Sequence, residues 1–448
     1  MSADIRQTGV RRALAPRSRP SSPRSRSVPR WTPTLSPLGG LGAATAAAPA
    51  LVTEPVLPVP SVLHGMAVGV VAVHGYLVGL VLAVPVRKLR GERSSVGTRR
   101  VTRYLPWVVA GGLGALACVA APGPVSAATV LVVAVATFLA LVLVGRMAVR
   151  AARTVVVVAR RLPPSAISLV VVVAVVAVVP TPAESTDLRR DDVIGREGRI
   201  FLADLPDHET LAQATGGRVD AMPVRVYIGL TAAPTPEERA ALAVAELERV
   251  GGLRRSAVLV AVPTGSGWVN PAAVRAGETL TRGDLATVVV QYAERPSWQE
   301  YLFGSGAAER NACALVVALR ERIARLPASE RPQLLVYGES LGAIAAATVR
   351  DYADAIVVAG TPAAAWEAPL AGVTAVLHDD DPVGWFSPRL LVARPTGWSG
   401  AWMPVVSFWL TAASLLSALD VPPGRGHRYG PELVEAWRAA GIGDLAEK

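Results

Sequence analysis

Residues 338–342 read Gly-Glu-Ser-Leu-Gly, entered from the apolar run QLLVY and left through the alanine-rich stretch LGAIAAATV. A serine hydroxyl is a weak nucleophile that needs a base, a group to orient that base, and donors for an oxyanion. A Gly-x-Ser-x-Gly segment between a strand and a helix lifts its serine onto a sharp turn, and Gly338 and Gly342 stand where side chains would collide with neighbouring backbone. Ser340 is therefore the candidate nucleophile; the bland alternative is a surface serine in a tight turn. Where this turn carries catalysis, an acid and then a histidine follow it in the chain. Two histidines lie downstream, His378 and His427. His378 precedes the acids, whereas His427 sits in the loop PPGRGHRYG, which suits an imidazole projected into a cleft. The acid comes from HDDDPVGWFSP: Asp381, followed by Pro382, is the choice over Asp379 and Asp380. For the oxyanion, the N–H of Leu341 and an N–H of Thr264 or Gly265 in VAVPTGSGW are the candidate donors.

These groups need a scaffold. The short β-branched runs at 224–230, 256–262, 286–292, 333–337, 354–360 and 372–378 predict strands, and Pro236 to Val250, Ala307 to Arg325 and Leu341 to Tyr352 predict helices between them. Alternation of this kind predicts a mostly parallel sheet with helices on both faces, filling residues 196–448. No strand is evident between Asp381 and His427, where MPVVSFWLTAASLLSALDV reads equally well as a helix.

The first half has a different chemistry. A hydrophobic share of 51% and a mean hydropathy of +0.39 exceed what one ordinary soluble protein carries. Four runs, Val62 to Val86, Tyr104 to Ala121, Ala127 to Val144 and Leu162 to Val179, are long enough to cross a bilayer. Leu38 to Val52 is a weaker fifth. Residues 36–180 thus predict a transmembrane domain of four or five helices, residues 1–35 a disordered basic tail, and residues 181–195 a linker. Basic residues crowd the stretch RKLRGERSSVGTRR and the stretch from Arg146 to Arg161, so the positive-inside rule puts both in the cytoplasm. Everything after Val179 then faces outward. The fifth span would bring the basic N-terminus inside. His64, His74 and glycines at GxxxG spacing in the first strong span read as bundle packing, against the sharper alternative of a proton or ion path.

Composition also excludes. Residues 1–30 hold eight Arg and one Asp, a skew that suits anionic lipid better than nucleic acid, since interleaved aromatics and a folded scaffold are missing. Two cysteines, Cys118 and Cys313, rule out a disulfide framework and a cysteine-based zinc site. No metal or organic cofactor is expected, and spans without acidic or paired charged residues disfavour a transporter. Trp385, Trp398, Trp402 and Trp409, with Phe386 and Phe408, read as core packing, an acyl pocket or an interfacial collar.

The motifs GREGRIF, AVAELERVGGL, PTGSGW, PSW, YGESLG, DPVGWFSP and VPPGRGHRYG, in this order behind a multi-helix membrane region, resemble the bacterial α/β-hydrolase family with an N-terminal membrane domain (family 9 type). The resemblance runs from about Val62 onward and implies an α/β-hydrolase fold with Ser340, Asp381 and His427 at the triad positions. The stretch TPAAAWEAPLA after Gly360 is shorter than that family's, so a shared substrate is not implied. The expectation is a membrane-anchored, outward-facing serine hydrolase acting on an ester, thioester or amide, with the bilayer and a small-molecule or lipid acyl substrate as partners. The rival is a non-catalytic sensor or binding domain of the same fold coupled to the bundle.

Overall fold

The computed structural model describes residues 36–90, 112, 124–159, 194–295, 299–300, 306–363 and 372–442. The basic tail 1–35, most of the linker 181–195, and the expected spans Tyr104 to Ala121 and Leu162 to Val179 lie outside the described residues, Gly112 apart.

Six strands form one all-parallel sheet: β1 (Val224–Ile228), β2 (Ala257–Val262), β3 (Leu285–Val290), β4 (Gln333–Glu339), β5 (Ala355–Ala359) and β6 (Thr374–Val376), in spatial order β1-β3-β2-β4-β5-β6. β2 and β4 are central and paired from Ala257 with Gln333 to Val262 with Gly338. Strands covered on both faces need apolar side chains on both, which is why β2 and β3 are buried at every position. On one face Val258, Val260 and Val262 pack with helices α6 (Pro236–Arg249), α8 (Ala307–Ala324) and α9 (Leu341–Thr348). On the other, Ala257 and Leu259 meet α7 (Pro271–Leu280) and α11 (Glu432–Ala439), where Trp437 is fully buried. A capping box between Thr235 and Glu238 starts α6, and Asn270 caps α7 ahead of Pro271. The sequence reading assigned no element to α7 or α11, or to the short helices α4 (Gly195–Ala203) and α5 (His208–Ala214).

In the N-terminal part, α1 (Pro37–Val52), α2 (Ser61–Arg90) and α3 (Pro124–Ala159) pack together. Among the described residues two helices are apolar and long enough to cross a membrane, over Ser61–Pro85 and Ser126–Thr154; α1 is a shorter apolar helix over the weak fifth stretch. α3 continues past the expected end at Val144 because Arg146, Arg150 and Arg153 are good helix formers. The glycines work by close approach: a Cβ on Gly42 would lie 2.2 Å from the carbonyl oxygen of Gly75, and one on Gly65 2.7 Å from that of Val130. These contacts run α1 antiparallel to α2, since Gly79 meets Leu38, and α3 parallel to it, since Gly69 meets Ala134. Both bundle histidines have backbone partners, His64 Nε2 at 2.9 Å from Ala50 O and His74 Nδ1 at 2.9 Å from Val70 O.

The stretch between Asp381 and His427 is a helix, α10 (Val406–Leu415), and it belongs to neither face of the sheet. Val406, Leu410 and Ala413 pack against Ala50 of α1, Val68 and Val71 of α2, and Val130 and Ala134 of α3.

Candidate active site

β4 ends at Glu339 and α9 starts at Leu341, leaving Ser340 alone to reverse the chain. Its φ of 56° and ψ of −120° fall where a side chain is normally strained, so the surrounding packing must hold it there. The Ser340 N–H donates to Ala359 O at 3.0 Å, fixing the turn to the end of β5. Side chains are forbidden on both sides of it: a Cβ on Gly338 would stand 2.1 Å from Gly342 O, and one on Gly342 2.6 Å from Val262 O. Leu341 opens α9, so its N–H is a first-turn donor without a partner inside the helix.

The structure brings Asp381 and His427 together. Asp381 is completely buried; its Oδ2 accepts from His427 Nδ1 at 2.8 Å and from Tyr429 O–H at 2.7 Å, while Oδ1 accepts from Val383 N–H at 2.9 Å. The adjacent acids do other things. Asp380 accepts from Arg425 Nε and from Gly426 N–H, each at 2.9 Å, and so pins the histidine loop. The backbone carbonyl of Asp379 accepts from Trp385 Nε1 at 2.9 Å. The His427 ring lies against Gly360, which follows β5: a Cβ there would be 2.5 Å from Cε1. His378 is stacked on Tyr429 with ring centroids 4.3 Å apart, its nitrogens meeting Gly426 O at 2.8 Å and Glu432 Oε1 at 3.0 Å. Burial lowers the His427 imidazole, but the hydrogen bond and charge of Asp381 and the charge of Glu339 outweigh it, raising the group above its ordinary 6.5.

One expected donor is otherwise engaged. Thr264 follows β2 as anticipated, yet its N–H donates to Trp268 O at 2.9 Å and its O accepts from Gly267 N–H at 2.9 Å, closing a tight turn on itself. Gly265, the other candidate in this loop, is also partnered. Among the described residues no group of three or more His, Cys, Asp or Glu is placed to hold a metal ion. A cleft of about 180 Å³ opens beside Leu341, lined by Ile344, Tyr292, Glu300 and Glu309.

The sequence reading missed a second buried acid. Glu339, beside Ser340, is 4% exposed; its Oε2 accepts from Tyr337 O–H and from Asn270 Nδ2, each at 2.7 Å. Asn270 also donates to Tyr429 O at 3.1 Å, so a hydrogen-bonded chain joins Glu339 to Asp381 through Asn270 and Tyr429. The signal was a carboxylate inside an apolar strand end, which costs free energy unless it is partnered. Burial pushes Glu339 above its ordinary 4.5, against the pull of His427, Tyr337 and Asn270. A carboxyl raised on folding stabilises fully below its unfolded value and loses that contribution as pH rises through the folded one. Glu339→Gln should therefore gain thermal stability on the wild type as pH rises toward neutrality, read from melting curves across pH. It should also move the acid limb of any activity profile to lower pH, because one of the charges raising His427 is gone. Parallel melting trends in the two proteins would contradict the assignment.

An all-parallel sheet, a strained serine between its central strand and a helix, and an acid-paired histidine against the next strand define an α/β-hydrolase fold. Residues 224–369 and 346–442 match the family model described as Alpha/beta-hydrolase family, so the C-terminal region is an α/β-hydrolase family domain. No curated protein and no solved structure matches the chain.

Proposed function

We propose that the protein is a membrane-anchored serine hydrolase that cleaves an ester, thioester or amide through an acyl-enzyme. The observation that carries this reading is the Asp381–His427 pair, 2.8 Å apart, set against the β5 end to which the Ser340 turn is tied. Ser340 Oγ attacks the acyl carbon while its proton passes to His427 Nε2; the tetrahedral oxyanion rests on the Leu341 N–H. Collapse expels the leaving group with the proton from His427. Water, deprotonated by the same imidazole, then releases the acid and restores Ser340. Asp381 keeps the Nδ1 proton in place and balances the imidazolium charge. The cleft beside Leu341 is the natural seat for part of the substrate.

An outward-facing hydrolase region is consistent with the helix ends. Leu57, in the α1–α2 connection, is buried against Ser414 and Gly426, whereas α2 finishes at its opposite end with Arg87, Lys88 and Arg90. By the positive-inside rule that basic end is cytoplasmic.

The test is labelling of membranes that carry the full chain with a fluorophosphonate probe. Wild type should label, and Ser340→Ala and His427→Ala should not. Folded wild type that stays unlabelled would sink the reading.

A further inference from the structure

We propose that α10 and its flanking turns form a membrane-inserted element of the hydrolase region, whose outer side, carrying Val392, Leu416 and Leu419, is solvated by phospholipid acyl chains. The inference rests on reading α2 and α3 as spans.

Three independent features point this way. First, α10 packs along α2 within the candidate span: Val406, Leu410 and Ala413 cluster with Val68 and Val71, and the Trp409 ring lies 5.8 Å from that of His74, well inside Ser61–Pro85. An element alongside those residues shares their depth in the bilayer. Second, no charged residue occurs between Arg394 and Asp420, although the soluble part of the chain is otherwise rich in charge. α10 itself has no ionic group to solvate. Third, among the described residues of 194–442, the large apolar side chains more than half exposed are Val392 at 77%, Leu416 at 72% and Leu419 at 66%. They match Val81 on α2 at 70%, and all three lie on the segment against the bundle rather than scattered over the sheet domain. Water would penalise such exposure, and the hydrocarbon beside α2 removes the penalty.

The chain order gives this placement a consequence for the site. Asp381 and His427 bracket the inserted segment, His427 N–H donates to Ala418 O at 2.9 Å, and Leu57 touches the Gly426 position. Acid and base are therefore carried at the lipid–water boundary. The substrate class that fits is an amphiphile held in the leaflet, with its scissile acyl bond at headgroup level.

The experiment uses the full chain with Cys118→Ser and Cys313→Ser, reconstituted into phosphatidylglycerol–phosphatidylethanolamine vesicles. Single cysteines carry a nitroxide at Val392, Leu416 or Leu419, with Val81 as the lipid reference and Ala241, exposed on α6, as the water reference. The expected result is loss of relaxation by a water-soluble nickel chelate, with strong relaxation by oxygen, at 392, 416 and 419 as at 81. Chelate access at all three like that at 241, with 81 still in lipid, overturns the inference and leaves the anchored hydrolase standing. Chelate access at 81 as well overturns the spanning reading and this inference with it.

Discussion

Asp381→Asn is expected to lower the rate of ester hydrolysis, or of fluorophosphonate labelling, by about 10⁴-fold while leaving the fold intact. The reason lies in what surrounds the carboxylate. Oδ1 is held by the Val383 N–H and Oδ2 accepts from both His427 Nδ1 and the Tyr429 hydroxyl. An asparagine that keeps its oxygen on Val383 must turn its NH₂ toward the imidazole. His427 then accepts at Nδ1 and carries its proton on Nε2, the nitrogen that receives the Ser340 proton in the proposed reaction, so the base is present in the wrong tautomer. The neighbouring acids supply the control. Asp379 enters the site only through its backbone carbonyl, so Asp379→Asn should stay within about twofold of wild type. Asp380→Asn weakens the hold on Arg425 and Gly426, and should fall between the other two. Equal losses at 379 and 381 would mean that the three acids act as a local charge cluster, not through one paired residue.

The same three acids show what a chain can reveal before it is folded. Asp381 and His427 were legible because they follow Ser340 in the required order and because few histidines competed for the role. The elbow was legible because two glycines, an apolar strand and an alanine-rich helix all fall within a short local window. The parallel sheet was legible for a similar reason, since uninterrupted apolar runs such as AVLVAV admit burial on both faces. The support beneath the site was not. Asn270 lies 69 residues from Glu339 and 159 from Tyr429, and only the sheet topology makes them neighbours. The Thr264 turn depended on a backbone bond four residues ahead, a choice that several loop conformations would have satisfied differently. The docking of α10 on α2 was hidden too, because an apolar amphiphile of ten residues has no marker for whether its partner is a sheet or another helix.

The largest stability effect is expected away from the serine, at Arg225 on β1. Its guanidinium reaches Glu278 on α7 with Nε to Oε1 at 2.8 Å and Nη2 to Oε2 at 3.0 Å, and its Nη1 donates to Phe201 O at 2.8 Å. The side chains of Arg225 and Glu278 are 2% and 1% exposed, so neither charge has water to fall back on. Phe201 closes the site from α4, with the guanidinium 5.1 Å from its ring centroid. This pair joins the edge strand β1 to α4 and α7, whose first residues follow the Asn270 cap that also serves Glu339. Removing Glu278 leaves the buried guanidinium with only the longer Asp204 contact, Nη1 to Oδ2 at 3.5 Å, and breaking a buried pair costs about 3–5 kcal/mol, a large part of the roughly 5–15 kcal/mol by which domains are stable. Glu278→Ala should therefore lower the melting temperature of the full chain in detergent by about 10 °C or more. Replacing both partners by apolar residues of similar length, Arg225→Met with Glu278→Leu, should restore most of the loss, because a buried ion pair contributes little over a packed apolar pair. Failure of the double variant to recover would assign the stability to the Phe201 carbonyl bond and the Asp204 ion pair, neither of which methionine can make. Recovery would identify the pair as a device that selects the position of α4 and α7 against β1 at almost no net gain in stability.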